Sequence, residues 1–184
     1  MKKINQLILL AALCFAGCTY IQSSGSNNDS TSTTSSVNPS QDWKFGVQLW
    51  TFHDVNFPTA LDRVDSAGLV YIEPVIFQDA GPEFKDSAIG QLSLTGIDKL
   101  KSLIAQKGLK VESLYIVGDS TINSWKQQFD IAKEFGVQYV TTEPPLDMWN
   151  SIDSLAGAYG IKVAIHDHWL GFSHYWNPDT TLMA

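Results

Sequence analysis

Apolar and polar positions follow two alternating patterns from residue 45 onward. Short runs rich in β-branched and aromatic residues, typical of buried strands, precede segments with an apolar residue every three or four positions, typical of amphipathic helices. The predicted elements are strands at 45–52, 69–76, 109–118, 137–145 and 161–169 and helices at 59–68, 95–108, 121–136 and 148–160. Each predicted helix ends at a glycine that leads directly into the next strand. This repeat predicts an α/β fold with a parallel sheet covered by helices.

The strand–helix repeat fits two architectures, a doubly wound sheet and a (β/α)8 barrel. The first strand lacks the glycine-rich sequence that dinucleotide-binding sheets carry at this place, so a nucleotide site of that kind is not supported. Only five strands can be counted from the sequence pattern. Because a complete barrel has eight strand–helix units in roughly 250 residues, we expect about the first five units of a (β/α)8 TIM barrel.

The N-terminal segment has the features of an export signal. Two lysines at the start precede an apolar run at 7–16, and Gly17-Cys18 follows this run. The run is shorter than the about 20 residues that a membrane-spanning helix needs. A basic start, an apolar centre and small residues before a boundary are typical of a secretory signal peptide, which we place at 1–17.

Residues 15–18 (FAGC) resemble the lipobox of bacterial lipoproteins, in which the cysteine becomes the lipidated N-terminus. We therefore predict lipidation at Cys18 and a lipid anchor in the bacterial cell envelope, on the periplasmic side or at the cell surface. Residues 18–42 are rich in Ser, Thr and Asn and predict a flexible tether. The folded domain is predicted at 43–184.

The net charge of the chain bears on whether it binds nucleic acid. The chain has 12 Lys and Arg against 19 Asp and Glu, which gives a formal net charge of −7. Removal of a signal peptide would take away two lysines and no acid. Because phosphate backbones are bound by basic surfaces, we expect no nucleic acid partner.

Polar residues occur at or near the predicted strand ends, where parallel α/β folds carry their sites. His166 and His168 end the fifth strand, and Glu143 ends the fourth. A spacing of two places both imidazoles on one side of the strand, with the neighbouring strand about 4.8 Å away. Imidazoles beside a carboxylate predict a site for Mn, Zn, Mg or Fe. The alternative is that one histidine caps the strand and the other binds a loop.

Further candidate residues have both a functional and a structural interpretation. Glu73 at the second strand either contacts substrate, as a base or hydrogen-bonding group, or forms a salt bridge at the rim. Gln48 and Trp50 on the first strand either contact a sugar, with Trp50 stacking on it, or fill the barrel. His53 lies in a loop that either reaches the pocket or stays at the surface, and Trp176 lies in the final loop, where it could line the pocket.

The order of several segments resembles the xylose-isomerase-like TIM-barrel superfamily, whose members are called sugar phosphate isomerase/epimerase-like. The resemblance covers about residue 45 to the end and includes FGVQLWTF, YIEPV, GLKVESLY, VQYVTTEP and YGIKVAIHDHW. The glutamate and the HxH sequence, followed by YWNPDT, are similar to a subgroup of exported bacterial proteins in that superfamily.

The resemblance implies a metal-dependent enzyme that acts on a small sugar or keto sugar. It implies a sugar isomerase or epimerase, or a keto-sugar lyase or hydratase, all acting through an enediolate. It implies Glu143 and His168, or His166 in its place, as metal ligands, with Mn, Mg, Zn or Fe as the ion. Glu73 or the remaining histidine, His166 when His168 binds the ion, is the implied catalytic base. Many sugar epimerases have a metal-binding glutamate where this chain has His166. The ligands that the family carries on its last three strands have no counterpart, so we expect a C-terminally truncated barrel with a partial site and low stability.

Two other functions can be compared with this one. An endonuclease IV-like activity on DNA is disfavoured by the export signal and by the acidic charge. A non-catalytic surface lipoprotein could bind glycans through its aromatic residues. Bound metal and metal-dependent turnover of keto sugars separate the enzyme from the glycan-binding protein.

Overall fold

A computed structural model describes residues 43–169 and 172–176 of the 184-residue chain. The predicted signal peptide, Cys18 and the tether lie outside the described residues. The strands are β1 (Gly46–Gln48), β2 (Tyr71–Glu73), β3 (Lys110–Val111), β4 (Leu114–Tyr115), β5 (Tyr139–Thr142) and β6 (Lys162–Ile165). The helices are α1 (Phe57–Ser66), α2 (Leu94–Gln106), α3 (Ile122–Phe135) and α4 (Trp149–Tyr159). No helix among the described residues is long and apolar enough to cross a membrane.

The strands form two parallel sheets whose order follows the chain. One sheet has the order β1-β2-β3 and the other β4-β5-β6. A parallel bridge between Val75 and Tyr115 connects them, and the Tyr115 N–H donates to the Pro74 carbonyl at 2.9 Å. β3 and β4 are two parts of the single strand predicted at 109–118, so the strands occupy five consecutive positions. This sequential order is that of a barrel wall, because a doubly wound sheet reverses its order near the middle.

Helix starts are fixed by side-chain caps close to the predicted places. Asn56 accepts a hydrogen bond from the Thr59 N–H, so α1 begins at Phe57 with Pro58 in its first turn. Ser93 accepts from the Gly96 N–H and begins α2. Both caps satisfy backbone N–H groups that the first helical turn leaves without a partner.

The sheet separates an apolar face from a polar one. Val140 and Thr142 of β5 are fully buried, whereas Thr141 and the following Glu143 are partly exposed. Because side chains alternate along a strand, these two pairs lie on opposite faces. The buried face belongs to the core that also contains Trp125, Phe129 and Phe135 of α3. The opposite face of β5 carries the partly exposed polar side chains of Thr141 and Glu143.

The glycine that ends α4 provides a test of the predicted helix boundary. Gly160 has φ +66°, whereas Gly157 lies inside α4, and a Cβ at either would meet no atom within 4 Å. We expect Gly160→Ala to lower the free energy of unfolding by about 1 kcal/mol, because an L side chain disfavours positive φ. Gly157→Ala should raise it by about 0.5–1 kcal/mol. Urea denaturation measures both; equal effects would contradict the assigned boundary.

Candidate metal centre

Three side chains meet where β5 and β6 end. One potential ligand atom from each of Glu143, His166 and His168 lies within 4.8 Å of the others. The two strands are parallel and in register, and the His166 N–H donates to the Thr142 carbonyl at 3.0 Å. This register places the residue after β5 beside the residues after β6. The predicted juxtaposition of the glutamate and the HxH sequence is therefore present.

The contact between Glu143 and His168 is short but is not a hydrogen bond. Glu143 Oε1 and His168 Nε2 are 2.7 Å apart, and both side chains are about four-fifths buried. Glu143 Oε1 has no hydrogen-bond partner among the described residues. A buried acceptor without a partner is costly. A divalent cation would satisfy it, and two imidazoles with a carboxylate are a donor set that Zn, Mn and Fe accept.

Aromatic rings surround the cluster in an almost continuous wall. Neighbouring ring centroids are 5.4 Å apart for Trp50 and Phe77, 5.9 Å for Phe77 and Tyr115, and 5.1 Å for Tyr115 and His166. On the other side Phe172 lies 4.3 Å from His168. These residues line a cavity of about 640 Å³. We refer to it as the metal cavity.

Tyr115 belongs to this site although it was not among the predicted site residues. Burial raises the pKa of Tyr115 to about 12, and the negative charges of Glu143 and Glu73 add to this effect. The phenol therefore keeps its proton at neutral pH and can donate a hydrogen bond in the metal cavity. Its position is the signal that could have identified it, since Tyr115 is the last residue of β4 and is in register with Thr141 near the end of β5.

Gln48 and Trp50, predicted to contact substrate, both line the metal cavity. The predicted base Glu73 does not line it and lies in an adjoining cavity of about 300 Å³, which Gln48 also lines. Glu73 accepts hydrogen bonds from Gln48 Nε2 at 2.5 Å and from the Ser113 hydroxyl. Its carboxylate is therefore fixed beside the metal cavity by two neutral donors.

The two loop residues predicted for the pocket have different positions. The His53 ring stacks on Trp50 with centroids 4.5 Å apart, and its Nδ1 lies 2.8 Å from the Trp50 carbonyl. His53 is thus attached to the aromatic wall and does not line the metal cavity. Trp176 is the last residue of a short 3-10 helix that begins at His174.

Tyr175 holds this short helix against the end of β5. It is buried, donates from its hydroxyl to the Pro144 carbonyl at 2.5 Å and accepts from Trp149 Nε1 at 2.9 Å. Burial raises the pKa of Tyr175, the hydrogen bond from Trp149 lowers it and the charge of Glu143 raises it. The hydroxyl of Tyr175 therefore links Pro144, which follows Glu143, to Trp149 at the start of α4.

Comparison with solved structures identifies the fold. An uncharacterized protein from Parabacteroides distasonis is 33% identical, with a TM-score of 0.63 over 69% of this chain and 54% of its own. A sugar phosphate isomerase/epimerase from the same organism is 18% identical, with a TM-score of 0.50 over 68% of this chain and 51% of its own. A xylose isomerase-like TIM barrel protein from Mycobacterium smegmatis in complex with magnesium is 14% identical, with a TM-score of 0.58 over 78% of this chain and 60% of its own.

These similarities have a defined extent. The chain spans between 51% and 60% of the length of the three structures. No protein-family model matches the sequence, and no curated protein matches it either. The predicted fold class is confirmed: the chain has the α/β fold of a TIM barrel, with consecutive parallel strand–helix units of the barrel wall.

Proposed function

We propose that this protein is a metal-dependent enzyme of the sugar isomerase or epimerase class. The observation that carries the proposal is the buried Glu143 Oε1, which lacks a hydrogen-bond partner among the described residues and lies beside the imidazoles of His166 and His168. The cluster stands at the carboxyl ends of parallel strands, the usual place of active sites in TIM barrels. Two structurally similar proteins, one described as a sugar phosphate isomerase/epimerase and the other solved in complex with magnesium, support a metal-dependent enzyme that acts on sugars.

Glu143, His166 and His168 are the residues that would hold the ion. A divalent ion supplies Lewis acidity, which polarises a carbonyl and favours loss of the neighbouring proton. Tyr115 keeps its proton at neutral pH and can donate a hydrogen bond to a sugar oxygen. Trp50 offers an aromatic face that excludes water from the ring of the substrate.

One candidate base for proton removal is Glu73, whose carboxylate is held by Gln48 and Ser113 in the cavity that adjoins the metal cavity and that Gln48 also lines. His166 is the alternative base if Glu143 and His168 alone bind the ion. Isomerisation, epimerisation and β-elimination share this first step through an enediolate. The proposal therefore covers keto-sugar lyases and hydratases as well as isomerases, and the step is general base catalysis in each case.

The proposed substrate is a small sugar or keto sugar in the cell envelope. Support for this location comes from the sequence of the first 18 residues, which predicts a lipid anchor at Cys18. The acidic net charge supports a partner other than nucleic acid.

Deuterium exchange tests the proposed first step whichever product is formed. The protein is loaded in turn with Mn²⁺, Mg²⁺, Zn²⁺ and Fe²⁺ and incubated in D₂O with a panel of keto sugars. We expect NMR to show metal-dependent loss of the proton next to the carbonyl for at least one sugar. Chelation by EDTA and the Glu143→Gln variant should each lower the exchange rate at least about 100-fold, because the ion is no longer held.

Glu83→Gln is the matched control, because Glu83 is exposed and lies outside both the cluster and the metal cavity. This variant should exchange at the wild-type rate. Metal-loaded protein that exchanges no proton on any sugar would contradict the enzyme. If that protein still bound glycans, the result would favour the second candidate, a non-catalytic glycan-binding lipoprotein, which the aromatic wall also suits.

A further inference from the structure

A second cavity adjoins the metal cavity across an aromatic ridge. Its volume is about 530 Å³, and it shares Trp50, Val75 and Phe77 with the metal cavity. The rings of Trp50 and Phe77 meet edge to face at 5.4 Å and form the boundary between the two. Both volumes fall within the about 300–1,000 Å³ typical of ligand pockets. A single sugar ring at the metal would leave the second cavity empty.

The second cavity has the lining of a polar site. Its walls include Asn56 and Thr59 at the start of α1 and Asp79 after β2. Gln78 lines it too, is 6% exposed, and donates weakly from Nε2 to the Phe52 and Val55 carbonyls. Gln78 Oε1 is buried and has no hydrogen-bond partner among the described residues. Amide, hydroxyl and carboxylate groups beside an aromatic face suit the hydroxyl groups and the apolar face of a sugar ring.

The charge of the side chains that line the second cavity disfavours an anionic group there. No Lys or Arg is among the described residues that line either cavity. Arg63, which is near the second cavity in sequence, is paired with Asp54 at 3.0 Å. Asp54 and Asp79 line the second cavity, and Asp167 lines the metal cavity. A phosphate group in the second cavity would face the carboxylate of Asp79 and would meet no Lys or Arg among the described lining residues.

We propose that the substrate is an uncharged saccharide of at least two rings. This inference rests on the proposed function, since the first ring is the one that would react at the metal cluster. The second ring occupies the cavity at the start of α1, with Trp50 and Phe77 between the rings. Thr59 and Gln78 are on the wall that faces this second ring. The site thus selects a glycoside or disaccharide over a monosaccharide or a sugar phosphate.

The test fills the second cavity from its exposed side. Thr59 is exposed in the first turn of α1, and only its backbone N–H is engaged by the Asn56 cap, so Thr59→Trp should fold. Thr95→Trp is the matched control, because Thr95 is an exposed threonine in the first turn of α2 and lines neither cavity. Calorimetry on the Mn²⁺-loaded full chain measures affinities for uncharged disaccharides, their monosaccharides and the monosaccharide phosphates.

We expect at least one disaccharide to bind about tenfold more tightly than its component monosaccharides, which corresponds to about 1.4 kcal/mol. Thr59→Trp should abolish this preference, whereas Thr95→Trp should keep it, and neither should change Mn²⁺ affinity. Equal affinities for disaccharide and monosaccharide in the wild type would overturn the inference. Tighter binding of a sugar phosphate, or no binding of any disaccharide, would also overturn it. Metal-dependent exchange on a free monosaccharide would in those cases leave the proposed function intact.

Discussion

Replacement of His168 by Ala is expected to lower the affinity for a divalent metal by at least about 100-fold, because it removes a metal ligand. Mutation of residues that only orient such ligands already lowers metal affinity by about 10–100-fold. His168 Nε2 lies 2.7 Å from Glu143 Oε1, and His166 is the third member of the cluster. Loss of the imidazole leaves one nitrogen and one carboxylate, which hold Mn²⁺ or Zn²⁺ poorly. Isothermal titration with Mn²⁺ and with Zn²⁺ measures the change.

His174→Ala is the control for this substitution. His174 is exposed and stands outside the cluster, so its removal should leave the metal affinity of the cluster unchanged. Equal affinity of wild type and His168→Ala would remove His168 from the ligand set. Equal losses in both variants would show that the metal binds elsewhere or that histidines bind it non-specifically.

Trp125→Ala is expected to lower the free energy of unfolding by about 3–5 kcal/mol, the usual cost of deleting a large buried aromatic side chain. Trp125 is 1% exposed and belongs to the core face of α3. Its Nε1 donates to the Asp119 carbonyl at 2.8 Å, and a Cβ at Gly118 would come within 2.5 Å of its ring. The indole thus fixes the turn that leads from β4 into α3. Urea denaturation followed by circular dichroism measures the loss.

Trp43→Ala is the matched control, because Trp43 is 68% exposed and its loss should change stability by no more than about 0.5 kcal/mol. A cost below about 1 kcal/mol for Trp125→Ala would contradict the packing of α3 against the sheet. Similar costs for both tryptophans would contradict the difference in burial between them.

Local signals explain why the element order could be predicted from the sequence. Gly136 and Gly160 both have positive φ and end helices, so the predicted ends of α3 and α4 agree with the structure within about one residue. The third predicted strand is different, because it is interrupted between β3 and β4. At the break, Glu112 pairs with Lys44 at 2.5 Å and Ser113 bonds to Glu73. Lys44 and Glu73 are far from the break in sequence, so no local sequence pattern predicts it.

The same distinction applies to the site. The cluster of His166, His168 and Glu143 could be predicted because it depends only on alternation along a strand and on the pairing of neighbouring strands. The aromatic wall could not, because Phe77 meets Tyr115 beyond the isolated bridge between Val75 and Tyr115, which connects residues far apart in sequence. The hydrogen bond between Gln48 and Glu73 joins residues from different strands, and Glu73 lies in the cavity that adjoins the metal cavity.

The metal content of the full chain tests the central claim most directly. The protein is incubated with Mn²⁺ or Zn²⁺, dialysed against metal-free buffer and analysed by inductively coupled plasma mass spectrometry beside Glu143→Gln and His168→Ala. The wild type is predicted to retain about one ion per chain, as a built donor set of two imidazoles and a carboxylate should, and both variants to retain almost none. A wild type that retains no ion, or variants that retain as much as the wild type, would contradict the assignment of Glu143, His166 and His168 as a metal site.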